Sequence, residues 1–293
     1  MTRRTLLSIP LAAPLATNAL AAADADFTFV HFTDTHIQPE LRAEAGVEKA
    51  FAAINAVKPA FCLAGGDLVF DVAETDAAKA KSLFDMYARA AKNLRIPVHS
   101  VPGNHDVIGL SRNGKVPPTD AIYGKKMFED RIGPRYSSFD HQGWHFIQLD
   151  SIGTKNGGYI GHIDEAQFEW LKSDLAKVGR TRPVVLTTHI ALVTSMVQFL
   201  APQGQPTEGW VVANTFDILK LLAEYNVKAV LQGHTHVREI VDYKGCQYIT
   251  SGAVSGNWWK GLRLGHPEGF GVLRAKGDKL TWEYRTYGWN AQA

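Results

Sequence analysis

Short apolar runs punctuate the chain. They lie at Phe27–Phe32, Ala60–Ala64, Val98–Val101, Trp144–Leu149, Pro183–Thr187, Ala229–Leu231 and Tyr248–Thr250. Each is too short for a helix and is bounded by turn formers, which predicts buried strands. Helical spacing fills the intervals. Val47, Phe51, Ile54 and Val57 recur along one face, as do Leu83, Phe84, Tyr87, Ala91 and Leu94. Asp164 and Gln167 have the form of a capping box opening a helix that turns Phe168, Leu171, Leu175 and Val178 inward. Phe216, Leu219 and Leu222 mark a further helix. The alternation predicts an α/β fold in which helices cover a largely parallel sheet. Three stretches interrupt it, Val107–Asp140, Leu192–Asn214 and Gly252–Gly269, and long loops of this kind inside a domain often carry function.

Composition changes this picture little. With 293 residues, 45% hydrophobic and 20% charged, the chain has material for a sizeable core and no bias toward disorder. Its first residues do change it. Arg3-Arg4 precede an uncharged Leu- and Ala-rich stretch to Ala23, with small-x-small sites at Ala19–Ala21 and Ala23–Ala25. That is the form of a secretory signal peptide, of the twin-arginine type, over residues 1–23. Pro10, Pro14 and Asn18 interrupt a stretch already shorter than the ~20 apolar residues of a membrane span, so no stable membrane anchor is expected. Residues 24–293 then form the mature domain, exported to the periplasm or the extracellular space. Without Arg3 and Arg4 the mature chain has 29 basic and 29 acidic side chains, a balance with no basic face for a nucleic acid. Cys62 and Cys246, far apart in a domain of this size, are not a disulfide framework.

The informative residues follow the apolar runs. The first leads into Asp34-Thr-His36, the second into Gly65-Gly-Asp67, and the third into Gly103-Asn104-His105-Asp106. Pro183–Thr188 ends at His189, and Ala229–Leu231 leads into Gly233-His234-Thr-His236. Five strands thus deliver Asp, His or Asn at their carboxyl ends, the edge of an open α/β sheet where ligands bind. Asp and neutral His ligate borderline divalent metals, and Asn offers an amide oxygen. Asp34, His36, Asp67, Asn104, His189, His234 and His236 exceed the needs of one ion, so two ions with a shared carboxylate fit better.

The ordered set Asp-x-His, Gly-Asp, Gly-Asn-His-Asp, His and Gly-His-x-His resembles the calcineurin-like metallophosphoesterase superfamily, over the roughly 200 residues from Asp34 to His236. The resemblance implies a four-layer αββα sandwich of two mixed β-sheets flanked by helices. It implies that Asp34, His36 and His236 bind one metal, Asn104, His189 and His234 the other, with Asp67 bridging. His105 would protonate the leaving group or stabilise the phosphoryl charge, and Asp106 would orient His105 through a hydrogen bond. Two divalent ions, zinc, manganese, iron or a mixed pair, would clamp a small phosphate ester and generate hydroxide near neutral pH. Purple acid phosphatases of the superfamily place a tyrosine three residues after the bridging aspartate. Here that residue is Phe70, and the arrangement is closer to the bacterial cyclic-nucleotide and glycerophosphodiester phosphodiesterase branch.

The reading is thus a phosphoesterase, with diesters slightly ahead of monoesters. The alternative is a non-catalytic, metal-dependent binding protein on the same fold, which would be expected to lose a ligand or His105. The motifs give no oligomeric state. Outside them, His31, His99 and His145 are read as packing or hydrogen-bonding residues, and His141, His162, Arg112 and Lys115 as solvated. Met196, Phe199 and Trp210 are read as packing their loop on the domain. The loop with Trp258, Trp259 and His266 is left open between surface packing and a substrate wall.

Overall fold

Every predicted apolar run is a strand in the computed structural model, which describes residues 24–200 and 207–291. The proposed signal peptide lies outside the described residues. The first part of the chain forms β1 (Asp26–Phe32), α1 (Ala43–Val57), β2 (Cys62–Ala64), α2 (Ala77–Ala91), β3 (Val98–Ser100), α3 (Lys126–Arg131), β4 (Ser137–His141) and β5 (Trp144–Gln148). Then come the hairpin β6 (Ile152–Lys155) and β7 (Gly158–Gly161), α4 (Glu165–Val178), β8 (Val184–Thr187), the short α5 (Val197–Leu200), α6 (Thr215–Leu222) and β9 (Val227–Gln232). Four strands close the chain: β10 (Arg238–Tyr243), β11 (Cys246–Ser251), β12 (Gly269–Lys276) and β13 (Lys279–Thr286). No helix among the described residues is long and apolar enough to cross a membrane.

The alternation alone points to a largely parallel sheet; the two mixed sheets that the resemblance implies are the ones found. There are two main sheets, ordered β13-β12-β1-β2-β3 and β10-β11-β9-β8-β5-β4. In the first, β1, β2 and β3 run parallel while β12 and β13 add antiparallel. In the second, β11, β9, β8 and β5 are parallel, with β10 and β4 antiparallel at the edges. The strands missed by the search for apolar runs are these antiparallel strands and the β6–β7 hairpin. β10 and β13 alternate exposed and half-covered positions, because one face of an edge strand meets solvent.

Alternating side chains of each strand feed different layers. Phe27 and Phe29 of β1 point between the sheets, with Phe61, Trp144, Phe146, Val185, Leu231 and Leu273. Val30 and Phe32 point outward to Val47, Phe51 and Ile54 of α1 and to Leu83, Phe84 and Tyr87 of α2. On the far side Leu186 and Val230 meet Leu171 and Leu175 of α4 and Ile218 and Leu222 of α6. The result is the α/β/β/α layering. Its central seam is aromatic: Phe146 lies edge-on to Phe29 at 5.3 Å and to Phe61 at 4.8 Å, and stacks on Phe139 at 5.0 Å.

His31 hydrogen-bonds Ser251 Oγ across the two sheets at 2.8 Å, His99 stacks on Phe139 at 3.7 Å, and His145 sits between Asp140 and Asp174, all in the packing roles expected of them. His141 departs from expectation. It closes β4 and packs edge-on against Phe27 at 4.6 Å rather than facing solvent.

The seam sets a stability test. Phe146→Ala removes a fully buried ring from between the sheets and is expected to cost ~3–5 kcal/mol in denaturant unfolding. Ile240→Ala, on the exposed face of β10, should change stability by less than about 0.5 kcal/mol.

Candidate metal centre

Parallel strands of both sheets end at the same edge of the sandwich, and there the expected ligands converge. Asp34 and His36 leave β1, Asp67 leaves β2, and Asn104 opens a single 3-10 turn, Asn104–Asp106, after β3. His189 follows β8, and His234 and His236 follow β9. The structure therefore brings all seven together.

They form two groups. His236 Nε2 lies 3.1 Å from Asp34 Oδ1 and 3.1 Å from His36 Nε2. His189 Nε2 lies 3.2 Å from Asn104 Oδ1, and a ligand atom of His234 falls within 4.8 Å of those of Asp67 and His189. One atom links the groups: Asp67 Oδ2 is 3.5 Å from His36 Nε2 and 3.1 Å from His189 Nε2. That is the position of a bridging carboxylate. Its other oxygen, Oδ1, accepts the His105 backbone N–H at 2.8 Å.

Backbone carbonyls fix which imidazole nitrogens face inward. His189 Nδ1 donates to Gly65 O at 2.8 Å, His236 Nδ1 to Gly256 O at 2.5 Å, and His234 Nε2 to Gly209 O at 2.8 Å. With those protons directed outward, the other ring nitrogen of each faces the centre; burial opposes a charge on His189, but Asp67 outweighs it and raises its pKa to about 9. Asp34 Oδ2 accepts from Thr33 Oγ1 at 2.7 Å and from the His234 N–H at 3.1 Å, an N–H that also lies 3.3 Å from Oδ1, and Oδ1 faces His236. Buried carboxylate oxygens and ring nitrogens thus crowd one another around a common centre, an arrangement that divalent cations satisfy. The donor set fits two such ions.

Electrostatics and backbone geometry agree. Burial opposes ionisation of Asp34, but His236 and His36 overcome it and hold the carboxyl well below its usual range. Burial likewise opposes Asp67, and His189 and His105 outweigh it to keep the group ionised. Burial pushes His36 down to about 4 and His234 to about 3, so both are neutral at ordinary pH, as metal ligation would require. Asp34, His36, Asp67, His234 and His236 all adopt left-handed backbone angles, with φ between 39° and 71°. Such strain costs on the order of 1–3 kcal/mol per residue and gathers at functional sites. Tight contacts hold it: Trp259 Nε1 donates to His36 O at 3.0 Å, and Gly103 packs its Cα against Asp67.

His105 stands at the open side of this centre, 26% exposed, its ring edge-on to His36 at 4.9 Å. Burial works against its charge, but Asp67 and then Asp71 outweigh it and raise its pKa to about 9. The expectation that Asp106 hydrogen-bonds His105 is corrected. Asp106 Oδ1 accepts from Leu68 N and Val69 N, and Oδ2 from Gly103 N, so it ties the β2 and β3 loops together. The carboxylate beside His105 is Asp71, with Oδ1 3.6 Å from Nδ1. Asp71 stands four residues past Asp67, outside the motifs, and only the fold reveals its place.

The loops divide as well. Trp258 borders the first group, 4.5 Å from the His236 ring, while Trp259 is buried in the core. His266 pairs instead with the backbones of Arg238 and Arg263. Trp210 lies 5.7 Å from the His234 ring, whereas Phe199, expected to pack, is 76% exposed.

A calcineurin-like phosphoesterase family model matches residues 27–238, well over half the chain. The chain belongs to that family. Serine/threonine-protein phosphatase CPPED1 of Bos taurus is 27% identical over 244 residues, covering 81% of this chain and 71% of that protein. The Haemophilus influenzae 3′,5′-cyclic adenosine monophosphate phosphodiesterase CpdA is 25% identical over 200 residues, 65% of this chain and 60% of that one. Among solved structures, a dimetal phosphatase from Danio rerio superposes with a TM-score of 0.64 at 15% identity, over 89% of this chain and 96% of its own. The fold is that of the family, and the chain is a dinuclear metal phosphoesterase of the phosphatase or phosphodiesterase kind.

Close packing under the bridging carboxylate sets a test. A Cβ on Gly103 would lie 2.1 Å from Asp67 Oδ1 and 2.2 Å from its backbone N, so Gly103→Ala must displace Asp67. The variant should keep wild-type circular dichroism but lose bound divalent metal by elemental analysis. Full metal content would show that Asp67 can yield without leaving the centre.

Proposed function

We propose that the chain hydrolyses small phosphate esters, diesters ahead of monoesters, at this centre. The observation that carries the reading is Asp67 Oδ2 standing between two sets of inward-facing donors. Asp34, His36 and His236 would hold one ion and Asn104, His189 and His234 the other, with Asp67 shared. When bound, the ions would supply positive charge for the phosphoryl oxygens and lower the pKa of coordinated water toward ~7.

The remaining steps fall to side chains. His105 stands within reach of a phosphate at the centre and is protonated at neutral pH, as a general acid for the departing alcohol must be. Asp71 lies on the Nδ1 side of the ring, which directs the opposite nitrogen toward the substrate. Their separation of 3.6 Å is wider than an ordinary hydrogen bond, so Asp71 acts through its charge and position. Phe70 lines the cavity beside His105 and Trp258 and offers no phenolate oxygen, which favours zinc, manganese or ferrous iron over a ferric-tyrosinate centre. Neutral balance in the mature chain supports a small substrate over a nucleic acid. The Arg3-Arg4 leader supports cleavage after residue 23 and export to the periplasm or the extracellular space.

Metal analysis combined with hydrolysis of aryl phosphates tests the reading. Asp67→Asn should lose metal and turnover together. His105→Ala should retain both ions and turn over ~10²–10⁴-fold more slowly, and an unchanged kcat would remove its role as acid. Asp71→Asn should also retain metal, with a smaller fall in kcat than His105→Ala.

A further inference from the structure

We infer that the segment Tyr287–Trp289, which follows β13, is a strap that presses the loop Val254–Trp259 onto Asp34, His36 and His236, and so sets how tightly the ion of that group is held and not that of the second. This rests on the two-ion reading above and makes Tyr287, Trp289 and Trp259 positioning residues of that centre. None of them belongs to a metal motif.

The loop reaches every candidate ligand of the first group. Ser255 N donates to Asp34 O at 3.1 Å, and Trp259 Nε1 donates to His36 O at 3.0 Å. Gly256 O accepts from His236 Nδ1 at 2.5 Å, and the Trp258 ring lies 4.5 Å from that of His236. Val254 N adds a bond to Thr33 O at 3.0 Å, one residue before Asp34. Other parts of the chain hold the second group. His189 turns to Gly65 O, His234 to Gly209 O, and Asn104 opens its own 3-10 turn. Among the described residues no hydrogen bond joins the loop to Asn104, His189 or His234.

Such a loop does not hold this shape by itself. Gly256, Trp258 and Trp259 have left-handed backbone angles, with φ of 56°, 49° and 69°. Glycine adopts them freely, but a bulky aromatic residue does not, and two in succession store strain that packing must oppose. Trp259 is clamped accordingly. A Cβ on Gly46 of α1 would lie 2.1 Å from its Cζ3, so the indole rests directly on the α1 backbone. The strap supplies the remaining contacts. Trp289 stands edge-on to Trp259 at 5.4 Å, and Tyr287 Oη donates to Val254 O at 2.6 Å, so both ends of the loop are gripped.

The strap is itself anchored on α1 and its N-terminal flank. Lys49 Nζ donates to Gly288 O, and the Arg42 guanidinium lies 4.9 Å over the Trp289 ring. Tyr287 and Trp289 are buried, so water does not compete for these contacts. Metal ligands must sit within about 0.2 Å of their proper distances, and the groups behind them set their aim. Releasing the strap lets Trp258 and Trp259 relax, and the partners of Asp34, His36 and His236 move with them. Asn104, His189 and His234 keep their aim.

Manganese binding to the full chain tests this, with calorimetry resolving the two binding events and anomalous diffraction showing which ion is lost. Tyr287→Phe removes one hydroxyl that meets no candidate ligand. It should weaken one event about tenfold and leave the other unchanged. Trp259→Phe, which deletes the donor to His36 O, should weaken the same event at least as much. At limiting manganese the anomalous peak among Asp34, His36 and His236 should fall, while the peak among Asn104, His189 and His234 stays full. Ile218→Val, a buried truncation under the second sheet, costs stability without reaching the loop and should leave both events as in wild type. Equal weakening of both events, loss of the second peak, unchanged binding in Tyr287→Phe, or the same selective loss in Ile218→Val would overturn the inference and leave the two-ion reading intact. A wild-type protein that binds one ion would remove both.

Discussion

Buried carboxylates and imidazoles crowded around one centre, with three ring protons turned outward to backbone carbonyls, are the constraint from which the rest of this structure follows. Asp34 and Asp67 are ionised and sealed from water, and around them stand imidazole nitrogens whose donors are engaged by Gly65, Gly209 and Gly256. Burying such groups without compensation costs several kcal/mol each. The left-handed backbone at Asp34, His36, Asp67, His234 and His236 adds strain to that cost. A chain maintains an arrangement of this kind where bound cations return more than it costs, which is why we take the centre, rather than any cavity, as the functional core.

The scaffold meets this constraint by bringing strand ends from two sheets to one edge. Parallel pairing of β1 with β2 and of β8 with β9 sends the following residues out on the same side. The aromatic seam of Phe27, Phe29, Phe61 and Phe146 fixes the spacing of the sheets, and with it the distance across each ligand group, since both groups draw residues from both sheets. Small residues then allow backbones to approach. A side chain at Gly103 would strike Asp67, and one at Gly233 would reach within 2.3 Å of Thr33 Oγ1. Asp106 locks the β2 and β3 loops together from beneath. Stability and function meet in these contacts, because the residues that hold the loops also aim the ligands.

Much of this was legible in the sequence, and the parts that were not share a cause. Strands buried on both faces, such as β8 and β9, are continuous apolar runs, and the ligands directly follow them. β10 and β13 alternate because one face is open, so a search for apolar runs passes over them. The seven candidate ligands could be read as residue types at strand ends. Their outer partners could not, since the Gly65, Gly209 and Gly256 carbonyls are main-chain atoms with no signature. Asp106 and Asp71 show the limit most clearly. Adjacency in sequence pointed to Asp106 as the partner of His105, but the 3-10 turn directs its carboxylate into three backbone N–H groups and leaves His105 to Asp71.

The most direct test of the account is anomalous diffraction from crystals of the metal-loaded protein. It predicts two peaks about 3.5–4 Å apart. One would lie among Asp34, His36 and His236, the other among Asn104, His189 and His234, with Asp67 bound to both. A single peak, or a pair in which Asp67 touches only one ion, would contradict it.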